Sequence, residues 1–114
     1  MTIKNLPNVY FNEKVGELRI TGRSFPENPI DFYNPLIESV KNLTVDSLSV
    51  TIEVDYLNTS STKCILELLK TAKNTVNDLV VVWINEEGDD DMQELGEYFE
   101  ECLDLEFDFR VFVK

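Results

Sequence analysis

The residues best placed to do chemistry are four consecutive hydroxyls, Thr59-Ser60-Ser61-Thr62, preceded by Tyr56-Leu57-Asn58. They stand between an alternating apolar run and a run of helical periodicity, so they occupy the start of a helix. Free main-chain N–H groups and the positive end of the helix dipole favour an anion at such a place. A phosphate esterified to one of these hydroxyls would be stabilised there and would add about two negative charges to the surface. The plainer role is capping, because Asn, Ser and Thr cap helices routinely. On this segment alone, capping is the more economical reading.

Other chemistry is poorly supplied. The chain has no histidine, which removes the commonest general base near neutral pH, the commonest metal ligand and any Ser-His or Cys-His nucleophile pair. Thr59 or Ser60 acting as a nucleophile would need a Lys or carboxylate base, and none stands at a recognisable spacing. Glu86, Glu87, Asp89, Asp90 and Asp91 suggest a cation site at first sight. The alternating spacing of a calcium loop is missing, however, and Asp at a helix start is favourable capping, so a solvated turn is expected and no metal. Cys64 and Cys102 fall on apolar helical positions without a cationic neighbour and read as reduced, buried core thiols. No cofactor is implied.

Charge narrows the partners. The 114 residues carry 22 acidic and 10 basic side chains, a net charge of −12, which opposes binding to nucleic acid or anionic lipid. The basic residues form no run. The start, MTIKNLPNVYF, lacks the apolar segment and cleavage site of a secretory leader, and no stretch approaches a membrane span, so a cytoplasmic protein is expected. The length suits one domain over 1–114, and 43% apolar residues can build its core.

The elements that must position the hydroxyls follow from periodicity. Residues 8–14 and 16–23 are short strand-like runs joined at Val15-Gly16, an expected antiparallel hairpin. SFPENP, residues 24–29, is a proline-bracketed turn. Phe32, Leu36, Val40 and Leu43, with Tyr33 and Ile37 beside them, mark a first helix; Pro35 belongs near its start, which puts the N-cap at Asp31. Residues 47–57 alternate as a strand, and Cys64, Ile65, Leu68, Leu69, Ala72 and Val76 mark a second helix. DLVVVWI, residues 78–84, is apolar throughout, as in a strand covered on both faces, with Trp83 in the core. A third helix follows on Met92, Leu95, Phe99 and Cys102, and LEFDFRVFVK closes as a strand with Phe107, Phe109, Val111 and Val113 on one face. The order ββαβαβαβ predicts an α/β fold with a five-stranded, mostly parallel mixed sheet, an N-terminal antiparallel hairpin and three helices.

With these elements in place, the sequence resembles the SiaC family of bacterial regulatory phosphoproteins, themselves similar in fold to STAS domains of anti-sigma-factor antagonists. The matching residues are Ser24-Phe25-Pro26-Glu27-Asn28 before the first helix, Tyr56-Leu57-Asn58-Thr59-Ser60-Ser61 before the second, and Trp83. Glu94-Leu95, Glu97, Phe99 and Cys102 in the third helix also match. LNTSS after a strand is the most specific part. The resemblance implies that Thr59 is phosphorylated by a serine/threonine kinase and dephosphorylated by a PP2C-type phosphatase, with Ser60 the next candidate. It implies further that the unmodified form binds and activates a diguanylate cyclase, placing the chain in cyclic di-GMP signalling and biofilm control.

Under that reading Phe25, Pro26, Glu27, Asn28, Tyr56, Leu57, Asn58, Ser60 and Ser61 form the partner-binding surface. SFPENP taken alone is equally a turn that presents a helix. Two other functions remain to be weighed. A STAS-like domain would grip a small anionic ligand in the strand-to-helix loop, and an enzyme would use Thr59 or Ser60 as nucleophile, which the absence of histidine makes the weakest of the three.

Overall fold

A computed structural model describes residues 6–113, so Lys114 and the first five residues of the stretch read for a leader lie outside the described residues. The elements are β1 (Asn8–Asn12), β2 (Glu17–Ser24), α1 (Pro29–Lys41), β3 (Ser47–Leu57), α2 (Thr59–Thr75), β4 (Asp78–Glu86), α3 (Asp90–Leu103) and β5 (Asp108–Phe112). They build one five-stranded sheet in the order β1-β2-β3-β4-β5. β1 pairs with β2 antiparallel; the other neighbours are parallel. The α/β architecture and its element order are those the periodicity predicts.

The hairpin turn is longer than a Val15-Gly16 join. Asn12 ends β1 and its Oδ1 accepts the main-chain N–H groups of Lys14 and Val15 at 3.1 and 3.2 Å. Gly16 then closes the turn at φ 78°, where a Cβ would stand 2.3 Å from the Ser47 carbonyl oxygen. Only glycine fits there.

Strand order that advances by one neighbour at each right-handed crossover puts every helix on the same side of the sheet. Burial agrees. Leu18 and Ile20 of β2, Leu48, Val50, Ile52 and Val54 of β3, and Leu79, Val81 and Trp83 of β4 face the helices and are buried. Ile65, Leu68, Leu69 and Ala72 of α2 and Phe99 and Leu103 of α3 meet them from above. The opposite face carries Arg19, Thr51, Glu53 and Asp55 as well as Val80, which is 46% exposed. The expectation that β4 is covered on both faces holds only in part: on the far face Val82 is buried, but Val80 lies open.

Three further sequence expectations change. α1 starts at Pro29 with Asn28 as its cap, and Asp31 sits in the first turn, where its N–H is held by the Asn28 side chain at 3.4 Å. Proline at the first helical position needs no N–H partner. Pro35 then lies inside the helix, on an exposed position that limits the damage of the missing hydrogen bond. Tyr33 and Val40 are fully buried on α1, with Phe32, Leu36 and Ile37 only flanking them. Cys102 is exposed and Cys64 half-buried, so neither is a full core residue; Leu103 takes the inward position on α3. Finally, β5 is shorter than expected: Phe107 is buried just before it, while Phe109 and Val111 are exposed.

Trp83 anchors the α3 side. Its ring lies edge-on to Phe99 at 5.4 Å and stacks on Phe107 at 6.3 Å, and its Nε1–H donates to the Met92 carbonyl at 3.0 Å. α3 can approach this ring only because residue 96 is glycine: a Cβ there would sit 2.7 Å from the indole. Gly96→Ala gains about 1 kcal/mol of helix propensity and loses about 1–3 kcal/mol to overpacking against a ring that cannot move. The clash should win, lowering the melting temperature by several degrees; an unchanged or higher melting point in a thermal scan would contradict the packing described.

Candidate functional site

β3 ends at Leu57 and α2 begins at Thr59, with Asn58 between them as the cap. The Asn58 Oδ1 accepts the Ser61 N–H at 2.9 Å. Its main-chain carbonyl accepts from both the N–H and the hydroxyl of Thr62, each at 3.0 Å. Asn58 thus takes over capping and relieves the hydroxyls of it. The four hydroxyls then divide. Thr62 is bonded back to the cap, Ser61 is fully buried, and Thr59 and Ser60 stand exposed at the first two helical positions. Their N–H groups are among those a helix start leaves without an intrahelical partner.

Ser61 belongs to a buried chain of hydroxyls that joins three elements. Ser24, at the end of β2, donates to the Ser61 Oγ at 2.9 Å and lies 2.6 Å from the Tyr33 Oη of α1. Ser24 has one proton, so Tyr33 must be the donor to Ser24. All three side chains have no exposed surface. The Ser24 carbonyl also accepts the Asn58 N–H at 3.0 Å. The ends of β2 and β3, the start of α2 and the middle of α1 are therefore fixed to one another. Ser61, expected on the partner-binding surface, is instead buried: the helix turns its third residue inward, onto Ser24.

The segment preceding α1 splits in the same way. Pro26 is buried, whereas Phe25, Glu27 and Asn28 are exposed, and Asn28 is engaged in capping α1. Across the parallel register Arg23 pairs with Tyr56, after a shift between Gly22 and Arg23. The Phe25 and Tyr56 rings meet edge to face at 5.4 Å and are 37% and 45% exposed. The Arg23 guanidinium lies 5.6 Å from the Phe25 centroid and 5.7 Å from that of Tyr56, and 3.5 Å from the Asp55 carboxylate. Arg, Tyr and Phe are the types that dominate protein interfaces. Sequence reasoning missed Arg23; the signal was its place one residue before Ser24 on a strand registered against Tyr56.

Beside this patch an open groove of about 290 Å³ runs over Tyr56, Leu57, Met92 and Leu95, rimmed by Asp55, Asp89 and Asp91. Asp89 is the cap of α3, accepting the Met92 N–H at 3.2 Å. The acidic turn thus acts as a capped helix start, and among the described residues no three His, Cys, Asp or Glu side chains cluster to hold a metal. Burial pushes the Cys64 thiol up from its usual pKa, which makes it a poor nucleophile.

The sequence profile of the SiaC family regulatory phosphoproteins matches residues 2–112. The chain belongs to the SiaC family. Solved SiaC structures from Pseudomonas aeruginosa share the fold. A chain in the crystal structure of the diguanylate cyclase SiaD with its activator SiaC superposes with a TM-score of 0.83 at 26% identity, covering 97% of this chain and 96% of that one. SiaC of the same organism gives 0.78 at 26% identity over 100% and 95%, and apo-SiaC gives 0.75 at 28% over 96% and 93%. An uncharacterised protein of Pseudomonas aeruginosa strain UCBPP-PA14 is 29% identical over 95% of this chain and 89% of its own length. The site above is thus a SiaC-family regulator's strand-to-helix junction, and no described helix is long and apolar enough to cross a membrane.

The buried hydroxyl chain has a pH signature. Burial pushes the Tyr33 phenol from 10.0 up to about 12, with part of the rise offset because the Ser24 hydroxyl can turn its proton toward the phenolate. An acid whose pKa is higher folded than unfolded stabilises fully below the unfolded value and loses that contribution as pH rises toward the folded one. The loss therefore falls between about pH 10 and pH 12 and amounts to roughly 2–3 kcal/mol at the top of that window. Tyr33→Phe should be less stable at neutral pH but should show a flatter melting profile from pH 9.5 to 11.5. Parallel profiles for the two proteins would show that Tyr33 is not the titrating group.

Proposed function

We propose that this chain is a phosphorylation-controlled partner-switching protein whose phosphoacceptor is Thr59. The observation that carries the reading is the division of labour among the hydroxyls: Asn58 caps, Ser61 and Thr62 are bonded internally, and Thr59 and Ser60 are left exposed at the first two residues of α2, of which the family resemblance favours Thr59. A serine/threonine kinase can reach it there, a PP2C-type phosphatase can reverse the step, and the helix start favours the resulting dianion. The unmodified form binds its target through the surface around Thr59, with Phe25, Glu27, Asn28, Tyr56, Leu57 and Ser60 joined by Arg23. Membership of the SiaC family, and the complex of SiaC with the diguanylate cyclase SiaD, favour a diguanylate cyclase as that target, acting in the cytoplasm. The chain itself carries out no reaction in this scheme.

The readout follows from electrostatics and packing. Net charge is already −12. A phosphate on a contact surface adds charge repulsion and a group that must be desolvated. The fold, by contrast, gains a favourable anion at a helix start. Kinase and ATP should add one phosphate to the protein and none to Thr59→Ala; modification of Thr59→Ala to the same extent would move the assignment to Ser60. Titration of a cyclase target should show the phosphorylated form binding at least tenfold more weakly, about 1.4 kcal/mol, with a nearly unchanged melting curve. Equal affinities would exclude the switch, and a collapsed melting point would mean that the phosphate unfolds the domain instead of masking a surface.

A further inference from the structure

Among the described residues the sheet ends at β5, which pairs on one side only, with β4. We infer that the free edge of β5 is a self-association surface, on which a second copy of this chain adds its own β5 antiparallel in a register centred on Phe109.

The main chain selects which residues can pair. The Phe112 carbonyl accepts the Glu87 N–H at 2.9 Å and so points toward β4. Main-chain groups alternate sides along a strand, so Asp108 and Arg110 also turn toward β4, while Phe109 and Val111 turn theirs outward. The Phe107 N–H is occupied by the Glu100 carboxylate at 2.8 Å, which leaves its carbonyl. Centred on Phe109, the pairing bonds the two Phe109 residues to each other, and each Val111 N–H to the other copy's Phe107 carbonyl. The Glu100 contact stays intact.

Side chains select the register. Asp108 and Arg110 lie on the open face of the sheet, 2.8 Å apart within one chain and both exposed. With Phe109 on the two-fold axis, each Asp108 stands directly opposite the other copy's Arg110. Moving the centre to Arg110 places two guanidinium groups opposite each other, and moving it to Val111 places Arg110 opposite Phe112. Opposite charges across a strand pair stabilise it and like charges destabilise it, so the charge pattern is self-complementary in one register. The other face of the strand supplies apolar surface: Phe109 is 37% and Val111 60% exposed. Unpaired main-chain groups beside such apolar surface are a template for pairing. A net charge of −12 per copy and the acidic surface of α3 oppose association, so the dimer is weak and reversible. It is independent of the site around Thr59.

Analytical ultracentrifugation of the unmodified full chain at about 0.15 M salt, where charges more than roughly 8 Å apart are screened, tests this over a wide concentration range. The mass should rise from monomer toward dimer. Arg110→Asp puts Asp108 opposite an aspartate and should raise the dimer dissociation constant at least tenfold; Asp108→Arg should do the same. The double swap Asp108→Arg/Arg110→Asp restores opposite charges across the axis and should restore dimerisation. Val111→Pro should abolish it by removing the N–H, with circular dichroism confirming the fold of every variant. A monomer at all concentrations, a dimer insensitive to Arg110→Asp, or a double swap that fails to recover would overturn the inference.

Discussion

Ser24 lies at the end of β2 with no surface exposed, so its hydroxyl must find both a donor and an acceptor inside the protein. Tyr33 of α1 is the donor and Ser61 of α2 the acceptor. A buried hydroxyl left alone costs about 1–3 kcal/mol, so this junction tolerates little displacement of any of the three elements. Everything argued about the site depends on that constraint. It orients the first turn of α2 so that its third residue points inward and its first points out, and it holds the Phe25 segment against the same end of the sheet. Thr59 and the aromatic patch are thereby presented together at one end of the sheet.

The parallel direction of β2 to β5 has its own consequence. Because β2 to β5 run parallel, their ends and the loops that follow them gather at one end of the molecule, where ligands and partners usually bind in open α/β sheets. Thr59, Tyr56, Phe25 and the acidic cap of α3 all lie at that end. Arg23 is a cation within this acidic neighbourhood, held by Asp55 and by two ring faces. An exposed ion pair of this kind contributes little to stability, which leaves the guanidinium available for recognition.

The element order, the sheet pairing and the place of Thr59 at a helix start were legible because they rest on local signals: period-two alternation, period-3.6 apolar spacing and turn residues. Assigning roles among the hydroxyls was not, because Thr59, Ser60, Ser61 and Thr62 are chemically alike and only their rotation about the α2 axis, set by Ser24, separates them. Pro35 misled the cap assignment, since proline at a solvent-facing helical position is tolerated once Pro29 and Asn28 have already started the helix. Cys102 looked like a core residue because its spacing matches Leu95 and Phe99; the helix axis turns Leu103 inward in its place. The apolar run of β4 suggested two covered faces, whereas coverage is a property of where all three crossovers go.

The central claim is that the surface around Thr59 is the contact surface of the unmodified protein and that the core beneath it does not respond to the phosphate. Two-dimensional ¹H–¹⁵N NMR, recorded for the free protein, for the target complex and for the phosphorylated form, addresses both halves at once. Target binding should perturb Arg23, Phe25, Tyr56, Thr59 and Ser60, and phosphorylation should shift the same residues while the Trp83 indole resonance stays in place. Perturbations centred on β1 or the open face of the sheet, or movement of the Trp83 resonance on phosphorylation, would contradict the account.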